Sequence, residues 1–319
     1  MFSTKLLAWF RKARRELPWR REPRDPYRVW VSEVMLQQTR VDVVIPYYQR
    51  FLRRFPTLRA LAAAPLDDVL ALWSGLGYYS RARNLHKAAQ ACANGELPRS
   101  AAALRELPGF GPYTAAAVAS LAFGEDVPLV DGNVARVLSR VFRLQTRAEA
   151  WRKAAELLPP GRAGEFNEAL MELGATVCTP RQPGCSTCAI RTICTGRAEP
   201  HLYPPPKPKK PRPLLEWRAL ALRRKDGAVL LERQPEGLFA GMWDLPRAAP
   251  KGIRLNGPPA EKGVVEQTLT HREVRVHVAA APASGTPRSA NARWVRPADL
   301  GRYGLSSLAR KSLKQGGMA

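Results

Sequence analysis

Residues 178–194 read CTPRQPGCSTCAIRTIC and carry four of the chain's five cysteines. What four thiols in so short a stretch hold is a question that the rest of the chain must arbitrate. Three closures suit such a set: disulfides, a zinc site or an iron–sulfur cluster. No run of about 18 apolar residues signals a membrane span. The start, MFSTKLLAWFRKARRELPWR, lacks an adequate apolar core and cleavage site for export. Its arginines and late first acid, Glu16, faintly suggest a mitochondrial presequence. An amphipathic first helix with Leu6, Leu7, Phe10 and Ala13 on one side accounts better for the spacing. The expected location is therefore a reducing cytoplasm, where disulfides are disfavoured and a metal is the better closure.

At 319 residues the chain has room for two cores, and its apolar fraction of 45% is ordinary for a globular protein. Its charge is not ordinary. Lys and Arg number 51 against 27 Asp and Glu, a net +24. Such an excess suits a polyanion, most often nucleic acid. A GC-rich genome that inflates arginine would leave the same balance, so composition alone keeps both readings open.

Up to residue 196 the sequence reads as successive helices. VSEVMLQQTRVDVVI (31–45) places apolar residues at helical spacing, and 81–93 repeats the pattern with Cys92 as a small core residue. In LRELPGFGPYTAAAVASLAFG (104–124) a helix ends near Leu107, the chain turns at Pro108–Gly111, and Pro112 opens the next helix. Gly109 and Gly111 let backbone amides approach a phosphate at that helix N-terminus. An ordinary helix connection would have the same shape. RAEPHLYPPPKPKKPRP (197–213) has the composition of a stiff, extended linker. Beyond it, Asp226–Gly227 marks a hairpin, Val274, Val276 and Val278 alternate as in a strand, and 305–314 suits a closing helix. The expected architecture is a mainly α domain over 1–196 followed by a smaller α+β domain over 214–319.

Three motifs carry a specific likeness: LPGFGPYTA at 107–115, VDGNVARVLSR at 130–140, and the spacing C-x6-C-x2-C-x5-C at Cys178, Cys185, Cys188 and Cys194. With them, residues 1–196 resemble the helix-hairpin-helix DNA glycosylases of the endonuclease III superfamily. SEVMLQQTRV, GLGYYSRARNL and FNEALMELGATVC narrow the likeness to the adenine glycosylases, which remove adenine mispaired with 8-oxoguanine. The resemblance implies a [4Fe–4S] cluster on the four cysteines. It would be structural, fixing a loop whose Arg181 and Arg191 meet phosphate. The expected partner is double-stranded DNA with A:8-oxoguanine or A:G mispairs, bound by a monomer, and the expected role is base excision repair.

Breaking an N-glycosidic bond through an oxocarbenium-like sugar suits two carboxylates, one protonated and one ionised. Glu33 lies just off an apolar stripe beside Val34 and Met35, where burial raises a carboxyl pKa. A lone helical glutamate is more commonly solvated, and the resemblance is what implies a proton donor here. Asp131 follows the apolar run VPLV and suits a helix cap, with Asn133 as an alternative N-cap. The resemblance gives Asp131 the task of stabilising or trapping the sugar cation, with Asn133 beside it. Tyr113 stands where strand-cutting relatives keep a lysine, and a phenol cannot form their Schiff base. The adenine pocket implied by the family falls on Trp19, Arg20, Leu36, Glu168 and Met171. The residues that wedge beside the opposite base fall on Gln38, Leu76 and Tyr78.

In the C-terminal part, GLFAGMWDLP (237–246) and RWV (293–295) resemble a Nudix domain that reads 8-oxoguanine through Thr270 and His271. The glutamate-rich R-E-x-x-E-E run of a working Nudix hydrolase is missing, so pyrophosphate hydrolysis is not expected. Leu269 replaces the phenylalanine common at the reading loop, and Thr270 keeps a hydroxyl for the lesion. The segment from Pro246 to Thr270 is too short for a full Nudix helix. Two other functions compete with adenine removal. One is a bifunctional glycosylase/lyase for oxidised pyrimidines, and the other is a catalytically silent DNA-binding module.

If the +24 charge serves a polyanion, affinity for duplex DNA falls steeply with salt as counterions are released. A titration of Kd against salt checks this, and a flat response would assign the charge to genomic composition.

Overall fold

The computed structural model describes residues 1–92, 94–206 and 211–318. Part of the expected 197–213 linker, residues 207–210, lies outside the described residues.

Helix α1 (Phe2–Ala13) buries Phe2, Leu6, Leu7 and Phe10, and Arg11 and Lys12 complement its C-terminal dipole. Ala13, expected on the apolar side, is exposed at the helix end. Helix α2 (Pro26–Leu36) starts where the Asp25 carboxylate accepts the Arg28 amide at 3.1 Å, with Pro26 in the first turn. Helix α3 spans Val41–Arg54. The helical pattern of 31–45 is thus two helices rather than one. The chain turns between them, and Gln38 takes a φ of +58°. The polar run Gln37–Arg40 is the trace of that corner, which apolar periodicity alone passes over.

Helices α4 (Leu58–Ala62), α5 (Leu66–Trp73), α6 (Ser80–Ala91) and α7 (Ala101–Leu104) follow. Helix α7 ends three residues before the expected Leu107, and turn hydrogen bonds carry the chain on. Helix α8 (Pro112–Phe123) has Gly111 at its N-cap and Gly124 at its C-cap, the latter at φ +72° where L side chains are strained. Helices α9 (Gly132–Phe142), α10 (Arg147–Leu157) and α11 (Ala163–Thr176) complete the series. A capping box between Thr146 and Glu149 opens α10.

The chain forms two compact units: Met1–Arg59 with Lys87–Pro208, and Ala60–His86 with Lys209–Ala319. The core of the first gathers Leu6, Phe10, Ala117, Val134, Val137, Phe166, Leu170 and Leu173 from α1, α8, α9 and α11. Small residues let these helices approach closely. A Cβ on Gly174 would stand 2.6 Å from Asn133 Cβ and 3.1 Å from its backbone, so glycine sets the spacing of α11 and α9.

The second unit holds strands β1 (Leu214–Arg223), β2 (Val229–Arg233), β3 (Trp243–Asp244), β4 (Ile253–Leu255), β5 (Ala260–Thr268), β6 (Glu273–Gly285) and β7 (Ala292–Val295), with helix α12 (Ser307–Gln315). The sheet order is β3-β2-β1-β6-β4, with β5 paired to β6 and β7 to β2, and β1 running parallel to β6. The β1–β2 turn is the expected hairpin. Asp226 accepts the Ala228 amide at 3.1 Å and Gly227 takes φ +83°. Val274, Val276 and Val278 all face the core beside Trp243, Leu305 and Leu308. Between Asp244 and Ala260 the chain forms only β4 and turns, as its shortness leads one to expect. A mainly α part followed by a mixed α+β part is thus the observed fold class.

Gly174→Ala should destabilise the protein by about 1–3 kcal/mol, the usual cost of overpacking, because the new methyl meets backbone. Chemical denaturation of the two forms measures it.

Candidate active site

One wide cleft in the first unit gathers residues from the Pro18–Arg20 turn, the α2–α3 corner, the loop before α8, and α2, α3, α8, α9 and α11, among them Trp19, Arg20, Glu33, Leu36, Gln38, Gly109, Gly111, Tyr113, Asp131, Asn133, Glu168 and Met171. Helix α2 brings Glu33 to it almost fully buried, at 5% exposure. Tyr113, in the first turn of α8, donates its phenolic proton to Glu33 Oε2 at 2.5 Å and lies 3.4 Å from Met171 Sδ. Burial drives the Glu33 carboxyl up to about 7. The Tyr113 hydrogen bond and Arg20 oppose the shift, and the nearby charges of Asp131 and Glu168 reinforce it. Burial also raises the Tyr113 phenol, with the Glu33 and Asp131 charges adding to it.

Asp131 caps α9, accepting the Val134 amide at 2.6 Å. Asn133, the alternative cap, instead lies within the first turn and donates its side-chain amide to Asp131 Oδ2 at 3.0 Å. The shorter reach from the residue just before the helix wins the cap. Burial raises the Asp131 pKa, against the pull of the Val134 and Asn133 donors and the Arg136 charge. Arg136 continues the chain of contacts, donating to Asn133 Oδ1, the Gly174 carbonyl and the Cys178 carbonyl, each at 2.8 Å.

Glu168 is held more firmly than its sequence neighbourhood suggests. Arg24 grips both its oxygens, at 3.1 and 2.8 Å, and Arg20 stands 3.3 Å away. One turn further along α11, Glu172 is 1% exposed and accepts from Arg15 at 2.7 and 3.0 Å and from Arg20 at 2.9 Å. Burial would raise the Glu172 carboxyl, yet the two arginines hold it below its ordinary value. Arg15, Arg24, Arg136 and Glu172 were not singled out from the sequence. A signal existed: two acids four apart on a buried helix face repel and require counter-charges. The arginines of 15–24 supply them.

Trp19 is buried edge-on to Tyr48, with ring centroids 5.3 Å apart. Leu36 is half-buried and Gln38 exposed at the α2–α3 corner, where Gln37 donates to the Thr114 hydroxyl at 3.1 Å. Gly109 and Gly111 are exposed at the start of α8, and nothing lies within 4 Å of a Cβ built on Gly111.

Leu76, Tyr78, Thr270 and His271 belong to the second unit. Leu76 is buried, whereas Thr270, His271 and Tyr78 are exposed, Tyr78 at φ +50°. The structure brings Tyr78 and Thr270 together hydroxyl to hydroxyl. Arg81 braces the loop, lying 5.3 Å from the Tyr78 ring and 5.6 Å from that of Trp73.

Cys178, Cys185, Cys188 and Cys194 line one cavity against Val137, Val141, Leu173 and Ile190, while Cys92 is buried elsewhere. Among the described residues no three His, Cys, Asp or Glu side chains are placed as ligands of one metal ion, and four thiols suit zinc or a four-iron cluster by ligand type. Arg140, 4% exposed, donates to Cys178 Sγ at 3.4 Å and to the carbonyls of Thr179, Pro180, Pro200 and Tyr203 at 2.7, 2.9, 2.8 and 3.1 Å. A buried guanidinium beside sulfur suits an anionic thiolate cluster, and the donor set fits that group. Arg181 and Arg191 are exposed on the same loop. None of the described helices is long and apolar enough to cross a membrane.

Residues 31–160 match the HhH-GPD superfamily of base excision DNA repair proteins, and residues 218–315 match the NUDIX domain. The first unit thus has the fold of a helix-hairpin-helix glycosylase. A thermostable thymine-DNA glycosylase superposes with a TM-score of 0.57 and 31% identity over 62% of this chain and 95% of that one. An endonuclease III–DNA complex gives 0.54 and 25%, over 62% and 94%. Human adenine DNA glycosylase is 39% identical over 310 residues, covering 77% of this chain and 57% of that protein. The corresponding protein of Buchnera aphidicola subsp. Baizongia pistaciae is 35% identical, covering 77% and 74%. The chain belongs to the adenine DNA glycosylase family, and it spans 57–60% of the length of its human and mouse relatives.

The buried Glu33 also sets a pH dependence of stability. Its carboxyl keeps its proton in the fold up to about 7, whereas an unfolded glutamate releases it near 4.5. The native state therefore binds more protons across that window, and stability from this group falls as pH rises through it. Glu33→Gln should raise Tm at pH 8, by up to about 3 kcal/mol of stability, and leave it nearly unchanged at pH 4.

Proposed function

We propose that the protein is a monofunctional DNA glycosylase that hydrolyses the bond between adenine and deoxyribose where adenine lies opposite 8-oxoguanine or guanine. One observation carries the reading: a carboxyl that stays neutral up to about 7 shares a cleft with a second carboxylate held by helix-start donors. An adenine swung out of the duplex enters this cleft. Glu33 gives its proton to a ring nitrogen of the departing base, which cannot leave as an anion. Tyr113 holds Glu33 in orientation through its hydroxyl. Asp131, kept in place by the Val134 and Asn133 N–H groups, faces the developing positive charge on the sugar. Water completes the hydrolysis, with Glu33, now ionised, as the group placed to accept its proton.

Glu168, gripped by Arg24 and Arg20, is a fixed acceptor for the amino group of adenine, and Trp19 and Met171 supply apolar wall. No lysine stands at Tyr113, so the sugar is not captured as a Schiff base and the strand is left uncut. The exposed Tyr78 and Thr270 hydroxyls suit the opposite base. A [4Fe–4S] cluster on Cys178, Cys185, Cys188 and Cys194 would serve as a rigid staple for the loop of Arg181 and Arg191, which then meet phosphate. Amides at Gly109 and Gly111 offer a second phosphate contact.

Glu33→Gln should abolish release of free adenine from an A:8-oxoguanine duplex while duplex binding stays nearly intact. The parent protein should release adenine from that duplex and not from an A:T control, with no borohydride-trapped adduct. Unaltered release by the variant sinks the mechanism, and a trapped adduct would favour the bifunctional lyase.

A further inference from the structure

Within the second unit, polar contacts between Ala60–His86 and the C-terminal strands converge on one carboxylate. Asp67, in the first turn of α5, accepts the Trp243 indole N–H at 3.3 Å and pairs with the Arg233 guanidinium. Arg233 and Arg293 both lie on the Trp243 ring, with their Cζ atoms 5.1 and 5.5 Å from its centroid. Trp243 itself is buried edge-on to Tyr303, 5.4 Å between centroids. Nearby, Arg310 reaches the Ser74 hydroxyl at 3.2 Å, and Ser74 donates to the Leu305 carbonyl. A Cβ on Gly304 would stand only 2.7 Å from Leu70 Cβ, so the backbone there lies directly on α5. Arg83 closes the far end by donating to the Ala240 carbonyl at 2.5 Å.

This tied body carries, at one place on its surface, the meeting of Tyr78 with Thr270. Tyr78 comes from the segment that holds Asp67, and Thr270 from the β5–β6 loop. Two loops from distant parts of the sequence keep such a contact only if the elements beneath them hold register, which well-fixed supporting contacts provide.

We propose that Asp67 is a positioning residue for recognition of the base opposite the excised adenine. Through Arg233 and the Trp243 indole it fixes the Gly75–Tyr79 loop and the Leu269–His271 loop as one reading surface. Asp67 touches neither DNA nor the reacting atoms in this role. The inference rests on the adenine glycosylase reading and extends it to how the opposite base is told apart.

The experiment compares parent, Asp67→Ala, Asp67→Asn, Arg233→Ala and the Asp67→Ala/Arg233→Ala double variant as full-length proteins. Adenine release is measured under single turnover from A:8-oxoguanine and A:G duplexes, with hydrogen exchange on the same samples. Asp67→Ala should cut the preference for 8-oxoguanine over guanine about tenfold, the scale of one lost charge-assisted bond, while release from A:G changes little. Asp67→Asn keeps an acceptor for the indole and should retain part of the preference. The double variant should be no worse than Asp67→Ala, since both lesions break one link. Exchange should rise together in 75–79 and 269–271. An unchanged preference, or an equal fall on both duplexes, overturns the proposal. So does unchanged exchange in the two loops. A parent protein without preference for 8-oxoguanine would refute the substrate reading instead, and the exchange arm would then decide the coupling by itself.

Discussion

The site depends on the exclusion of water from one carboxyl. Among the described residues Glu33 forms no ion pair, and its side chain accepts a hydrogen bond from the neutral Tyr113 phenol. Burying a lone carboxylate is so costly that the group keeps its proton instead. Everything around it serves that condition. The alanine-rich α8 lets α2 and α11 close in, and Gly174 lets α11 close on α9. The nearby arginines Arg15, Arg20 and Arg24 pair directly with Glu168 and Glu172, one turn apart on α11, rather than with Glu33. Arg20 still pulls the Glu33 pKa down, but burial outweighs it.

The two carboxyls of the cleft differ in the donors that local geometry offers them. Glu33 sits mid-helix, where backbone amides are already paired and offer it nothing. Asp131 sits at a helix start, where unpaired amides are the natural partner of an anion. Burial raises both carboxyls, but helix-start donors oppose the rise at Asp131, whereas Glu33 has chiefly a phenol and Arg20 to oppose its rise to about 7. The difference is one of position on a helix rather than of residue type.

Much of this was legible in the chain of letters. The glycine–proline punctuation at 107–112, the alternation of Val274, Val276 and Val278, and the Asp226–Gly227 turn each reflect local rules, and each formed as its rule dictates. The misses share a cause. The break at Gln37–Arg40 leaves apolar spacing intact on both sides, so periodicity reads straight through it. The pairing of Arg24 with Glu168 joins residues far apart in sequence, and no short-range pattern encodes it. The grouping of Ala60–His86 with the C-terminal residues is likewise invisible to linear motifs. The exchange of cap between Asp131 and Asn133 turned on a difference of two positions, which only coordinates resolve.

The placement of Asp131 has an evolutionary corollary. A single side chain starts α9 and, on the proposed reading, also supplies the anion, so most replacements would damage architecture and chemistry at once. Asparagine stands apart, since it can begin the helix yet carries no charge. On the glycosylase reading proposed above, a descendant bearing it would keep its shape while losing the charge that reading sets against the sugar. On that reading, a form that keeps the fold but not the chemistry is one substitution away from this chain.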